Sequence, residues 1–284
     1  MTSIINVDEK IIRKYEKLKN ILSESGLLAV AFSGGVDSTF LLYAASDALG
    51  ERAIAITVVS SLIPESELAY SKDFCLKHGI RHITIKKDVF TIDGFKINPR
   101  NRCYICKTEI MKSMKQAVKE AGFDTLVEGS NVDDMGDYRP GLVALKEQGI
   151  RSPLREAGFT KGEIREISRE LGLETWDKPS FACLATRFPY GEIITDQCLK
   201  MVEEGEEYLK ELGFKQFRVR IHSAEALGQS GINSPKMARI ELEKEDINRF
   251  MDEEIRNKVD ERFRQIGFKF VSLDIGGYKM GSMN

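Results

Sequence analysis

The segment Ser33-Gly34-Gly35-Val36-Asp37-Ser38 constrains the fold of this chain more than any other feature. It follows the short apolar run 27–32, which is typical of a buried strand, and precedes 39–49, where apolar residues recur at helical spacing. The paired glycines let the backbone turn sharply and bring its N–H groups close to a ligand. Because a helix N-terminus adds free N–H groups and the positive end of its dipole, this order of elements predicts a phosphate-binding cradle.

The loop differs from the kinase-type phosphate loop because no lysine closes it. It resembles instead the PP-loop of ATP pyrophosphatases, which adenylate a substrate and release pyrophosphate. The resemblance implies that phosphate oxygens are held by Ser33, Gly34, Gly35 and Ser38. It also implies that Asp37 lies close enough to help hold Mg²⁺. The alternative is an ordinary tight turn capped by serine or aspartate.

Strand and helix patterns alternate through the first part of the chain. The predicted strands are 27–32, 53–59, 80–85 and 125–128, and the predicted helices are 11–25, 39–49, 64–77, 107–121, 141–148 and 160–171. Thr160 and Glu163 have the spacing of a capping box at the start of the last helix. This alternation predicts an α/β fold with a doubly wound parallel sheet of the PP-loop type, whose ligands bind at the carboxyl ends of the strands.

The pattern changes beyond Pro189-Tyr190-Gly191. Helices at 196–212 and 253–266, with strands at 217–221, 237–242 and 268–273, predict a smaller α/β domain built mainly on antiparallel pairing. A length of 284 residues also favours two domains. We therefore expect an ATP pyrophosphatase domain at 1–186, and a substrate-binding and oligomerisation domain at 187–284.

Composition limits the classes of function. The net charge of −2 argues against a large nucleic-acid footprint, which usually requires a strongly basic surface. No apolar run approaches membrane-spanning length, and the charged N-terminus does not resemble a signal peptide, so a cytoplasmic protein is expected without a membrane partner. Five cysteines, an odd number, argue against a secreted disulfide framework and favour metal ligands or reactive thiols.

A second polar segment follows the predicted strand 125–128. Gly129, Asn131 and Asp134 therefore lie where a doubly wound sheet places its active site. Carboxylates at this edge can bind Mg²⁺ on the phosphates, and Asn131 can donate to a phosphate or to the adenylated group. Arg139, a little further on, carries a guanidinium suited to pyrophosphate. The alternative is a polar surface loop that caps a helix.

The cysteines form the second chemical signal. Cys103 and Cys106 make a CxxC pair, and Cys183 is its expected third member. A single CxxC is compatible with a redox pair, half a zinc site or part of an iron–sulfur site, but no second CxxC or well-placed histidine pair completes a zinc site. Three thiolates on a 4Fe–4S cluster would leave one iron open for a free sulfide. Alternatively, Cys183 is a small buried apolar residue, as we expect for Cys75 and Cys198.

Arginines on the last predicted strands suggest an anion site. Arg218 and Arg220 alternate on one strand, so both guanidiniums share a face, and Arg239 and Glu241 do the same on the next. Arginines sharing a sheet face are suited to a phosphate group. The alternative is cross-strand ion pairing with the glutamates Glu241 and Glu243.

Together these segments resemble the LarE family of PP-loop sulfur transferases. The matching segments are SGGVDS, CYICK, EGSNVDD, DYRPG, RSPL, KPSFACLATRFPYG, RVRIH, ARIE and the C-terminal GGY and GSMN. The resemblance implies adenylation of a carboxylate of a pyridinium dicarboxylate mononucleotide, replacement of AMP with sulfur, and a role in making a nickel-pincer nucleotide. It also implies a homo-oligomer with the C-terminal arginines around the nucleotide phosphate.

The resemblance includes two mechanisms of sulfur delivery. In the best-known version, the cysteine matching Cys183 gives up its own sulfur and becomes dehydroalanine. This chain also carries Cys103 and Cys106, as in the cluster-bearing variant, in which three cysteines hold a 4Fe–4S cluster and sulfur delivery can be catalytic.

The chemistry agrees with this interpretation, because a carboxylate becomes a good electrophile only when its oxygen leaves as part of AMP. Sulfide or thiolate then attacks through an oxyanion that Lys107, Asn131 or Mg²⁺ can stabilise. Lys107 can also neutralise a phosphate, or it is a solvated lysine at a helix start. The rival functions are a tRNA thiolase, an amide-forming PP-loop ligase and a non-catalytic iron–sulfur carrier.

Overall fold

The computed structural model describes residues 7–136, 140–179, 182–223 and 234–279. The chain divides into two compact units. The first contains Met1–Asp88 and Cys103–Phe181, and the second contains Val89–Arg102 and Ala182–Asn284. The second unit thus begins before residue 187 and includes a segment that the sequence analysis assigned to the first domain. Within the described ranges, no helix is long and apolar enough to cross a membrane.

The first unit contains a parallel sheet. Its described strands are β1 (Leu28–Ala31), β2 (Ala53–Val59), β3 (His82–Lys86) and β4 (Thr125–Val127), in the order β3-β2-β1-β4. All three pairings are parallel. The chain moves outward from β1 to β3 and then returns to the other side of β1 at β4, so the crevice beyond the carboxyl ends of β1 and β4 is a topological switch point.

Helices flank this sheet. They are α1 (Glu9–Ser23), α2 (Val36–Leu49), α3 (Glu65–Lys77), α4 (Arg102–Glu120), α5 (Pro140–Glu147), α6 (Pro153–Ala157) and α7 (Lys161–Glu170). The capping box of Thr160 and Glu163 is present at the start of α7. The short α6 was not predicted from the sequence. Helix α4 begins at Arg102, before the predicted start at 107, so Cys103 and Cys106 lie within this helix instead of before it.

Both faces of the sheet are buried. On β1, Leu28 and Val30 belong to a core with α1, α2 and α7, whereas Ala29 belongs to a core with α4. On β2, Ala55 faces the first core and Ile56 the second. Continuous apolar strands with two covered faces are typical of parallel sheets in α/β proteins. The predicted α/β fold class is therefore confirmed.

The second unit contains a smaller sheet. Its described elements are α8 (Asp196–Glu211), β5 (Phe217–Ser223), β6 (Lys236–Leu242), α9 (Lys244–Phe250), α10 (Glu253–Ile266) and β7 (Phe270–Leu273). The strand order is β5-β6-β7. The β5–β6 pairing is antiparallel, as expected, but β6–β7 is parallel. Helix α9 was not predicted from the sequence.

Candidate active site

The phosphate loop turns at Gly34, whose φ is +73°. Residues other than glycine adopt this positive φ only with strain. A Cβ at this position would also lie 2.9 Å from Ser71 Oγ and 3.2 Å from Tyr70 Cδ1. Backbone conformation and close packing against α3 therefore both require glycine here.

The loop is closed by its two serines. Ser38 Oγ donates to the Gly35 carbonyl over 3.1 Å, lies 3.0 Å from Ser33 Oγ and accepts from the Ser33 N–H at 3.3 Å. Gly35 is the N-cap of α2 and makes no side-chain cap bond. The N-terminus of α2 is therefore not capped by a serine or aspartate side chain. Because no side chain caps this helix, its first N–H groups remain suited to an anion.

Asp37 lies in the first turn of α2 and brings two other polar side chains together. Its Oδ1 accepts from Asn131 Nδ2 at 3.2 Å, and its Oδ2 pairs with Lys161 Nζ at 2.5 Å. The Asp37 and Lys161 side chains are 23% and 28% exposed, respectively. The structure thus places Asp37 beside Asn131 and also beside Lys161, which was not singled out from the sequence.

The loop after β4 approaches the start of α2 closely. A Cβ on Gly129 would lie 3.0 Å from Ser38 N, a tight contact with backbone, so this position favours glycine. The loop is internally braced, because Asp134 Oδ2 accepts from the Asn131 N–H and Asn131 Oδ1 accepts from the Asp133 N–H, both at 2.9 Å. These contacts preorganise Asn131 beside Asp37. Arg139 lies outside the described residues.

A buried carboxylate marks the end of β4. Glu128 is 6% exposed and accepts from the Ser130 N–H at 3.1 Å, from Ser130 Oγ at 2.7 Å, and from Ser152 Oγ. Lys107 Nζ lies 4.0 Å from Glu128 Oε2, and the lysine side chain is about one third exposed. Lys107 is therefore directed towards the sheet edge that carries Asn131, although it belongs to α4.

The predicted cluster ligands lie in both units. Cys103 and Cys106 are three residues apart in the first turns of α4, so they share one helix face; Cys103 is partly exposed and Cys106 is buried. Cys183 is exposed and precedes the short 3₁₀ helix Leu184–Arg187. None of the five cysteines, all in described ranges, forms a disulfide. Among the described residues, no group of three or more His, Cys, Asp or Glu is arranged to hold a metal ion.

The two remaining cysteines have structural surroundings. Cys75 and Cys198 are both buried, on α3 and α8. Burial raises the pKa of the Cys75 thiol to about 12, which leaves almost no thiolate at neutral pH. This environment agrees with the structural role expected for Cys75.

The arginines of the second unit share a sheet face, as the strand alternation predicted. The register places Arg218 opposite Glu241, and Arg220 opposite Arg239. Arg220 donates to Glu241 Oε2 at 2.8 and 3.0 Å, and Arg239 pairs with Glu241 at 3.0 Å. The alternative of cross-strand ion pairing is thus realised with Glu241. Burial lowers the pKa of Arg218 to about 10, and its guanidinium lies 5.1 Å from the ring centre of Tyr278. The phosphate-binding roles of these arginines stay predictions.

One fully buried arginine escaped the sequence analysis. Arg187 has no exposed side-chain surface and makes two 2.8 Å bonds to Glu206. Its Nη1 also donates to the carbonyl oxygens of Ala182 at 2.7 Å and Cys183 at 3.3 Å. This guanidinium therefore fixes the backbone turn that presents the Cys183 thiol.

Comparison with known proteins places these features in a family. No protein-family model matches the chain. An uncharacterised protein of Synechocystis is 40% identical over 272 residues, covering 95% of this chain and 97% of the relative. Pyridinium-3,5-bisthiocarboxylic acid mononucleotide synthase of Lactiplantibacillus plantarum is 33% identical over 258 residues, covering 90% of this chain and 88% of the synthase.

A third relative shares part of the chain. One subunit of the glutamine-hydrolysing GMP synthase of Thermoplasma volcanium is 25% identical over 190 residues, covering 62% of this chain and 60% of the relative. This similarity agrees with a PP-loop ATP pyrophosphatase fold. Together with the nearly full-length match to the Lactiplantibacillus synthase, it shows that the chain belongs to the LarE family of ATP-dependent PP-loop sulfur transferases.

Proposed function

We propose that this enzyme adenylates a carboxylate of a pyridinium dicarboxylate mononucleotide and then replaces AMP with sulfur, as a step in nickel-pincer nucleotide synthesis. The similarity to the Lactiplantibacillus synthase over most of both chains carries this proposal. The name of that relative describes a pyridinium mononucleotide with two thiocarboxylic acid groups. A phosphate loop beside an oxygen-rich polar cluster supplies the means to activate a carboxylate with ATP.

In the first step, the adenylation, the residues of this chain would bind ATP and its metal ion. The N–H groups at the start of α2 and the hydroxyls of Ser33 and Ser38 would bind phosphate oxygens. Asp37 would help hold Mg²⁺, which prefers carboxylate oxygens. Lys161, now paired with Asp37, is partly exposed and can neutralise phosphate charge when ATP and the metal arrive. Gly129, Asp134 and Arg139 complete the proposed ATP site.

The second step needs stabilisation of a negatively charged oxygen. Attack of a sulfur nucleophile on the acyl carbon forms a C–S bond and a tetrahedral oxyanion, and AMP then leaves as the C=O bond is restored. Asn131 Nδ2 and Lys107 Nζ are the proposed donors to this oxygen. Asn131 is preorganised by its loop, so donation requires little rearrangement.

The cysteine set fits a 4Fe–4S cluster by its chemistry. Cys103 and Cys106 are soft sulfur donors on one helix face, Cys183 is an exposed third, and all three are free of disulfides. These residues would hold the cluster, which when bound supplies an iron site open to sulfide. Arg187 would keep the Cys183 turn in place. Arg218, Arg220 and Arg239 are the proposed ligands of the acceptor's phosphate.

Anaerobic assay with the proposed acceptor tests both steps. Protein reconstituted with iron and sulfide should release pyrophosphate from Mg-ATP in the presence of the pyridinium dicarboxylate mononucleotide. The acceptor should gain the mass expected for exchange of oxygen for sulfur. Cys183 should keep its mass over repeated turnovers, whereas loss of its sulfur in iron-free protein would establish the sacrificial route. Pyrophosphate release without any sulfur-containing product would reject the proposed acceptor chemistry.

The Asp37→Ala variant tests the assignment of the ATP site. Pyrophosphate release should fall by about 100-fold or more, since removal of one preorganised charge-stabilising group commonly costs that much. The free energy of unfolding should change by less than about 1 kcal/mol, because the Asp37–Lys161 pair is partly exposed. Release at the wild-type rate would remove Asp37 from the mechanism.

A further inference from the structure

The amino group of Lys178 lies against the backbone of the phosphate loop. Its Nζ donates to the Gly34 carbonyl at 3.0 Å and to Glu67 Oε2 at 2.8 Å. It also lies 4.4 Å from the ring centre of Tyr70. The Lys178 and Glu67 side chains are 19% and 13% exposed, respectively. The lysine is therefore held by a carboxylate, an aromatic face and one loop carbonyl.

The same part of α3 supports Gly34 from its Cα side. A Cβ there would lie within 3.3 Å of the Glu67 carbonyl, Tyr70 and Ser71, so no space separates the glycine from the helix. The turn at Gly34 thus rests on α3, and Lys178 binds the carbonyl oxygen that follows. Glu67 and Tyr70 take part in both contacts, so they connect the loop support with the lysine.

This contact also sets the direction of a loop N–H. The Gly34 carbonyl and the Gly35 N–H belong to the same peptide bond, which is trans because no described peptide bond is cis. The oxygen and hydrogen of a trans peptide point in opposite directions. A Gly34 oxygen held by Lys178 therefore directs the Gly35 N–H away from Lys178. Gly35 is the N-cap of α2, where an N–H can join the anion-binding set of the helix start.

We propose that Lys178 is a positioning residue that holds the Gly34–Gly35 peptide with its N–H facing the phosphates of ATP. Glycines on both sides make this peptide easy to rotate, and a rotated peptide would present an oxygen to the phosphates. Glu67 holds the ammonium group on the carbonyl and balances its charge, so Lys178 acts through the loop backbone. The inference rests on the ATP binding of the proposed function and is independent of the sulfur acceptor.

The test compares ATP with adenosine, which lacks the phosphates. Calorimetric titration with each ligand would use the wild type, Lys178→Met, Lys178→Arg and Glu67→Gln. Lys77→Met is the matched control, because Lys77 lies on α3 in an exposed pair with Glu174. The Kd for ATP should rise about tenfold in Lys178→Met, because the Gly35 N–H would no longer be held in place to donate one hydrogen bond to a charged phosphate. Adenosine binding should not change.

The other variants separate positioning from direct contact. Lys178→Arg should restore ATP binding to within about threefold, since a guanidinium can also donate to a carbonyl and a carboxylate. Glu67→Gln should weaken ATP binding, because the lysine loses its anchor. Tighter ATP binding in Glu67→Gln would instead show that the released lysine contacts phosphate, and would overturn the proposal.

Two further outcomes would reject it. An unchanged Kd for ATP in Lys178→Met would show that the carbonyl contact has no effect on the loop. Equal losses of ATP and adenosine binding would indicate general damage to the fold. A wild-type protein that binds no ATP would reject both this inference and the proposed function, whereas one that binds ATP but forms no thiocarboxylate would reject only the latter.

Discussion

The Asp37–Lys161 pair near the phosphate loop and the Arg187–Glu206 pair of the second unit differ in their access to water. The Asp37 and Lys161 side chains are 23% and 28% exposed, whereas Arg187 and Glu206 are 0% and 7% exposed. A water-accessible pair contributes little free energy and can exchange its partners at small cost. A buried pair cannot exchange its partners in this way, because its separation leaves an uncompensated buried charge. The first arrangement suits ligand binding, and the second suits the holding of backbone structure.

The arginines proposed for the acceptor phosphate also differ in their access to water. Arg220 and Glu241 are 5% and 0% exposed, so this pair is buried like the Arg187–Glu206 pair. Arg239 is 24% exposed and bridges Glu241 and Asp274, so it resembles the Asp37–Lys161 pair. On this criterion, Arg239 is the best placed of the three to exchange a carboxylate for a phosphate.

The largest expected effect is on the free energy of unfolding when the buried Arg187–Glu206 pair is broken. Glu206→Gln should lower the free energy of unfolding by about 3–5 kcal/mol, because it leaves the Arg187 charge buried without its partner. Urea denaturation followed by circular dichroism measures this change. Glu254→Gln, which breaks an exposed pair with Lys258, is the control and should change it by less than about 1 kcal/mol. Equal effects of the two substitutions would show that water reaches Arg187 and would remove the contrast.

An intermediate effect is expected at Arg239. Arg239→Gln should raise the KM for the mononucleotide acceptor about tenfold while leaving the KM for ATP unchanged, since one charged hydrogen bond to phosphate is lost. Stability should fall only slightly, because Glu241 keeps its bonds to Arg220. Steady-state pyrophosphate release gives both KM values. An unchanged acceptor KM would return Arg239 to a structural role.

Local patterns predicted the parts of this molecule that depend on local spacing. The capping box of Thr160 and Glu163 lies within one helical turn. The shared face of Arg218 and Arg220 follows from strand alternation alone. The phosphate loop is contiguous, so its strand and helix could be predicted from one segment.

Long-range contacts could not be predicted in this way. Lys161 lies 124 positions from Asp37, and Lys178 lies 144 positions from Gly34, so neither lysine differs locally from a solvated one. Arg187 is equally ordinary in sequence, and its burial against Glu206 depends on how α8 packs. The early start of α4 was missed because a CxxC pair was interpreted as part of a loop.

The smallest expected effect concerns His222, which lies on the same sheet face of the second unit as Arg220 and Arg239. Arg239 Nε donates to His222 Nε2 at 3.2 Å, so the ring accepts there as neutral imidazole. Burial, followed by the charges of Arg239 and Arg220, holds the pKa of His222 below its usual range, with Glu241 acting weakly in the opposite direction. Between this lowered pKa and the ordinary value of about 6.5, the unfolded chain binds the proton more readily.

The contribution of His222 to stability should therefore be complete above about pH 6.5 and be lost as the pH falls towards its folded pKa. Urea denaturation at about pH 7.5 and about pH 5.5, on either side of the ordinary histidine pKa, measures this loss. His222→Gln should reduce the difference between the two free energies of unfolding. Lys258→Gln, which removes an exposed cation that does not titrate in this range, should leave the difference unchanged. An unchanged difference in His222→Gln would show that the imidazole binds a proton equally well in the folded and the unfolded chain. The sheet face that carries Arg220, Arg239 and Glu241 would then be accessible to water, as the Asp37–Lys161 pair is.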